Sequence, residues 1–104
     1  MKKSLADGQV RSSAATIYSQ SGSSAVTLTY LSLFNTSATT QTVALYVKRI
    51  GSTNRQIRRF VLKQNQHAQA FSLDDQLVLS PGDAILLSTT TISVVDFVLA
   101  GDVE

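Results

Sequence analysis

The sequence predicts an all-β protein: a single-domain antiparallel β-sandwich of about eight short strands, with a jelly-roll-like variant as the alternative. Three observations predict it. Apolar and polar residues alternate with period 2 in several short runs, the mark of half-buried strands. The 14 Ser, 11 Thr and 8 Gln against one Glu describe a sheet surface, because helical surfaces favour Glu, Lys and Ala. Turn-forming clusters recur at the ~8–12-residue spacing of sandwiches and barrels, and no window carries a helical period.

Each element follows in order. Residues 1–12 are polar and unpatterned and read as an N-terminal arm, held in place by a neighbouring chain; residues 13–104 form the sandwich. Thr16-Ile17-Tyr18 is a first strand, closed by turn formers at 19–24. Val26, Leu28 and Tyr30 alternate with Thr27 and Thr29, then the phase slips, since Leu31 and Leu33 are apolar on the opposite parity. A bulge, or cover on both faces, accounts for the slip. After the turn at 35–40, Val43, Leu45 and Val47 alternate with Ala44, Tyr46 and Lys48. In Gln56 to Lys63 the alternation conflicts with itself. A bulge at Arg58-Arg59 resolves it, with Ile57, Phe60 and Leu62 facing in and both arginines out. Short strands follow at 71–73 and 77–79. In Ser80-Pro81-Gly82-Asp83, Pro fixes φ and Gly supplies φ > 0, the type II pair. Two last strands run over 84–88 and 92–100. Gly8, Gly22, Gly51, Gly82 and Gly101 are assigned to turns or the arm.

The 104 residues and 11.2 kDa are the size of one domain. Without cysteine there is no disulfide framework, thiolate metal site or thiol nucleophile. The longest apolar run, Val43 to Val47, is far short of the ~20 residues a membrane helix needs. Met1-Lys2-Lys3 is followed by Ser4, Asp7, Gly8 and Gln9 where a signal peptide places its apolar stretch. A soluble protein assembled in the cytoplasm, with no membrane partner, is expected.

Charge is partitioned along the chain. Residues 8–73 carry Arg11, Lys48, Arg49, Arg55, Arg58, Arg59 and Lys63 and no acid; residues 74–104 carry Asp74, Asp75, Asp83, Asp96, Asp102 and Glu104 and no base. Such halves pair across a sheet or dock head to tail between copies. Nucleic-acid binding would add stacking aromatics to the basic stripe. The known single-strand and RNA-binding signatures are missing and the C-terminal acids cancel the wider field, so nucleic acid is an unlikely partner.

Chemistry has few candidates. His67, the single histidine, sits in an expected loop with no nucleophile motif around it. Asp74 and Asp75 point to opposite faces of an extended segment. With Asp83 or Asp102 they would make at most a weak Ca²⁺ site of oxygen ligands, and no D-x-D-x-D-G loop backs it. Turn chemistry is their plainer role. Asn35-Thr36-Ser37 matches the glycosylation sequon, set aside for want of an export signal. No enzyme, cofactor or metal is expected.

Over residues 5–104, certain segments together resemble small β-sandwich virion proteins encoded among tailed-bacteriophage structural genes. They are Ala15-Thr16-Ile17-Tyr18, Leu33-Phe34-Asn35-Thr36-Ser37, Val43-Ala44-Leu45-Tyr46-Val47, Asn54-Arg55-Gln56-Ile57, and the turn Leu77-Val78-Leu79-Ser80-Pro81-Gly82-Asp83-Ala84-Ile85. The resemblance implies a multi-copy, non-enzymatic role on the virion, as a homo-oligomer with a trimer favoured. A capsid decoration (cement) protein bound to the major capsid protein is the first expectation; a neck, tail or fibre-base subunit is the second. The concentrated basic strand pair departs from the group's pattern and is the expected contact to the shell or a neighbouring subunit: Lys48, Arg49, Arg55, Arg58, Arg59 and Lys63, with Lys2 and Lys3 from the arm. A carbohydrate-binding module is the rival from another class. It would need a row of exposed aromatics, and the chain has no Trp and only Tyr18, Tyr30 and Tyr46.

Overall fold

The computed structural model describes residues 2–20, 24–71, 77–90 and 94–103, with no side-chain detail at 2 and 3. Nine strands form there: β1 (Lys2–Gln9), β2 (Ala15–Ser19), β3 (Val26–Asn35), β4 (Gln41–Lys48), β5 (Arg55–Leu62), β6 (His67–Ala70), β7 (Leu77–Leu79), β8 (Ala84–Thr89) and β9 (Val95–Val103). One sheet has the order β1-β9-β3-β6, with β7 also pairing β3; the other runs β2-β8-β4-β5, and every pairing is antiparallel. Two four-strand orders of this kind, linked by chain crossing between layers, make a jelly-roll sandwich. Among the described residues no helix is long and apolar enough to cross a membrane.

Alternation builds the core. In β4 the residues Gln41, Val43, Leu45 and Val47 are buried and their neighbours are not. Val95, Phe97 and Leu99 repeat the pattern in β9, and Leu28, Leu31 and Leu33 supply the facing layer from β3. The phase slip in β3 is a bulge: the register with β9 shifts between Leu28 and Tyr30. Leu31 and Leu33 thereby stay inside, and Tyr30, expected in the core, turns outward at 38% exposure together with Phe34.

Three expectations are corrected. Residues 2–9 are not an arm held by a neighbouring chain: they form β1 and pair with β9 of the same chain. Backbone pairing needs no apolar pattern, and Leu5 and Ala6 suffice to anchor the strand against the core. In β5 the bulge lies at Ile57, between the Gln56–Tyr46 and Arg58–Leu45 pairs, not at Arg58-Arg59. Ile57 is therefore 41% exposed, while Phe60 packs on the core and Leu62 is buried. His67 belongs to β6 and not to a loop, at an exposed position paired with Phe34. The strand expected at 71–73 lies outside the described residues beyond Phe71.

Gly8 and Gly101 sit in strands, not turns. Gly101 is required by proximity: a Cβ there would stand 2.7 Å from the Thr27 carbonyl oxygen and 2.9 Å from Leu5 Cδ1. Gly101→Ala must push β9 off β3, and we expect a loss of about 1–2 kcal/mol, read as a shifted urea midpoint. The Pro81-Gly82 turn is as expected, with φ +94° at Gly82 and the Asp83 N–H donating to the Ser80 carbonyl at 3.0 Å.

Candidate functional site

The basic residues of the middle strands divide into two groups with different environments. Arg55, Arg58 and Arg59 lie along β5, the edge of its sheet, and are exposed, as are Lys48 at the end of β4 and Lys63 just past β5. Arg59 pairs with Ala44 and therefore shares the outer face with Val61, which is 58% exposed. Arg58 stands opposite the buried Leu45, yet at the sheet margin it is exposed, as long cationic side chains on an edge strand commonly are. Cations along an edge strand discourage indiscriminate strand addition while offering directional contacts to anionic partners.

Arg49 is different. Its Nη1 donates to Asp83 Oδ2 at 2.7 Å and to the Val78 carbonyl at 2.8 Å. Asp83 also accepts from the Ser80 N–H at 3.0 Å and the Ile50 N–H at 3.1 Å. Burial by itself pushes the Asp83 carboxyl up, but the Arg49 hydrogen bond, the Ser80 and Ile50 N–H groups and the guanidinium charge outweigh it. The carboxyl is held below its ordinary value. Arg49 thus locks the β4 exit to the Pro81-Gly82 turn and is committed inside the chain. Asp83 is likewise spent, so it supplies no free oxygen to a cation. Asp74 and Asp75 lie outside the described residues. Among the described residues no group of three or more His, Cys, Asp or Glu converges.

Lys2 and Lys3 stand in register with Asp102 and Gly101 on β1. β1 and β5 are outer strands of different sheets, over β2 and β6 respectively, so the arm lysines and the β5 arginines belong to opposite margins. The expected site is not one patch.

Sequence reasoning missed two features. Asn35 is fully buried, and its side chain joins five partners. Nδ2 donates to the carbonyls of Thr39 and Leu62 at 2.9 Å and Lys63 at 3.2 Å; Oδ1 accepts from Ser37 N–H and Oγ, both at 2.9 Å. The sequon motif is a polar rivet between the two turns, with no amide free to carry a glycan. The second feature is the outer face of the β1-β9-β3-β6 sheet, which shows Tyr30, Phe34, Val78 and Val98 at 38–48% exposure. The β3 phase slip was its signal.

The tyrosines do not form a row. Tyr18 donates to Gln20 Oε1 at 2.8 Å, Tyr30 faces out from one sheet, and Tyr46 lies on the outer face of the other with its hydroxyl 3.3 Å from Ser88 Oγ. An open cleft of ≈ 240 Å³ between β1 and β2, lined by Asp7, Gln9, Arg11, Thr16 and Phe97 among others, is smaller than typical ligand sites of ~300–1,000 Å³.

No family model matches the chain, and no curated protein matches it in sequence. Among solved structures it is similar to one from a study of Bacillus endospore appendages, described as a novel family of disulfide-linked pili. The TM-score is 0.58 at 16% identity, over 97% of this chain and 83% of the other. At that identity the likeness is one of fold, and it agrees with the all-β sandwich.

Proposed function

We propose that the chain is a non-enzymatic structural subunit of a tailed-phage virion, working as a capsid decoration (cement) protein that binds and stabilises the assembled head shell. The observation that carries this reading is the uncommitted basic edge. Arg55 and Lys63 are exposed at the two ends of the β5 edge with exposed Ile57 between them, whereas the buried polar groups Asn35 and Asp83 are spent on internal bonds. Arginine beside apolar side chains is the composition of a protein-binding surface. A subunit that binds the assembled shell and not its free parts shifts assembly toward the shell by mass action.

The sequence resemblance supports the virion setting, and the neck, tail or fibre-base position is the second placement within it. The fold likeness to a pilus protein fits a multi-copy role, with one chemical difference: this chain has no cysteine and cannot form a disulfide link.

Co-sedimentation with purified phage heads tests the reading. The wild-type chain is expected to pellet with heads at saturable stoichiometry and to raise the temperature at which they release DNA. Arg55→Glu with Lys63→Glu should weaken binding about tenfold or more, a change of ~1.4 kcal/mol or more, with the fold intact by circular dichroism. Absence of saturable binding to heads, tails or whole particles rejects the virion role; a glycan array then takes up the carbohydrate reading.

A further inference from the structure

The two sheets turn opposite outer faces to solvent, and register places the charges on them unequally. On the β1-β9-β3-β6 sheet, Asp7 pairs with Val98 and Asp96 with Gln9 and Phe34, putting both acids on the outward face with Tyr30, Phe34 and Val98. Asp7 and Asp96 are diagonal neighbours on adjacent strands, where like charges repel, and among the described residues neither has a cationic partner. Asp102 and Lys2 stand in register at the far end, so the excess acid is local to Asp7 and Asp96. On the β2-β8-β4-β5 sheet the outward positions include Lys48, Arg59, Tyr46 and Val61, and none of its outward positions in the pairing register is acidic. Each face thus combines exposed apolar groups with unpaired charge, and the two signs are opposite.

We propose that these faces bind each other between copies: the Asp7/Asp96 face of one chain packs on the Lys48/Arg59 face of the next. The inference deepens the structural-subunit reading by naming a partner, a second copy of this chain. Sheets pack face to face at ~10 Å with apolar side chains interdigitating. Here Tyr30, Phe34 and Val98 meet Tyr46 and Val61, and Arg59 and Lys48 relieve the acid pair. Because the two faces lie on opposite sides of one sandwich, the contact is heterologous. Each copy keeps one face of each kind free, so the association propagates into a ring or an open stack and does not stop at a two-fold dimer.

Sedimentation velocity with two charge-reversed variants, Asp7→Lys/Asp96→Lys and Lys48→Glu/Arg59→Glu, tests this. All four positions are exposed, and circular dichroism melts serve as the check that both variants fold. The wild-type chain is expected to gain mass beyond the dimer between about 10 µM and about 500 µM, and to lose it as salt rises from about 50 to about 500 mM. Each variant alone should be monomeric. In an equimolar mixture the intact basic face of one variant meets the intact acidic face of the other, and the two reversed faces form a charge-swapped pair, so alternating copies should again grow beyond the dimer. A wild-type monomer at every concentration, a variant that associates alone like wild type, or a mixture that stays monomeric overturns the contact. If that wild-type monomer still pellets with heads, the contact falls and the decoration role stands.

Discussion

Asn35→Ala is expected to lower stability by about 3 kcal/mol, a fall in Tm of roughly 12–24 °C for a domain of this size. The amide is fully buried and serves the Thr39, Leu62 and Lys63 carbonyls and the Ser37 N–H at once. Alanine takes the shared partner from the buried Leu62 carbonyl and from the part-buried Thr39, Lys63 and Ser37 groups at once, and a buried polar group left without its partner costs more than a hydrogen bond contributes. The same site makes Asn35→Asp worse: a carboxylate there would face three carbonyl oxygens with nothing to donate. Its cost, at least about 4 kcal/mol at neutral pH, should shrink as the pH is lowered and the introduced carboxyl protonates. Urea denaturation of both variants at pH 7 and pH 4 reads the magnitude and the sign. A near-neutral Asn35→Ala would mean that the two turns are held by something other than this side chain.

Asp83→Ala should cost about 2–3 kcal/mol, because it removes the acceptor for the Ser80 and Ile50 N–H groups and the Arg49 guanidinium together. Arg49→Ala should cost less, about 1 kcal/mol, since that side chain is 45% exposed and solvent screens its charge. The pH dependence has a definite sign. The folded-state carboxyl is held below its ordinary value of 3.8, so its contribution is complete above the unfolded value. It is lost as pH falls through the depressed folded value. The wild-type and Asp83→Ala stability curves should therefore run parallel from pH 8 to about pH 5 and draw together below about pH 4.

How much of this was legible in the sequence depended on whether the cause was local. The alternation of β4 and the Pro81-Gly82 turn are local, and each is where the pattern places it; the last strand, expected over 92–100, runs from Val95 to Val103. The β3 slip was visible, but the bulge sits at Thr29, ahead of the point where parity changes. That offset turned Tyr30 from core to surface. β1 was illegible because an edge strand is held by its partner's backbone, and β9 lies about ninety residues away in sequence. Arg49 could not be separated from the other basic residues for the same reason: Asp83 is 34 positions distant. Asn35 was masked by its own motif, since a sequon and a buried capping amide are spelled alike. The charge partition along the chain was plain from the outset, but which face each charge occupies is a property of register. One residue of slip exchanges the faces.

The central claim, a structural subunit held on the virion, is tested most directly by electron cryo-imaging of phage particles made with and without this gene. The account predicts sandwich-shaped density at repeated symmetry-related positions on the head surface, absent from the deletion particles, with the β5 edge against the shell. Particles identical in the two preparations, with no density of this size anywhere on head, neck or tail, would contradict it.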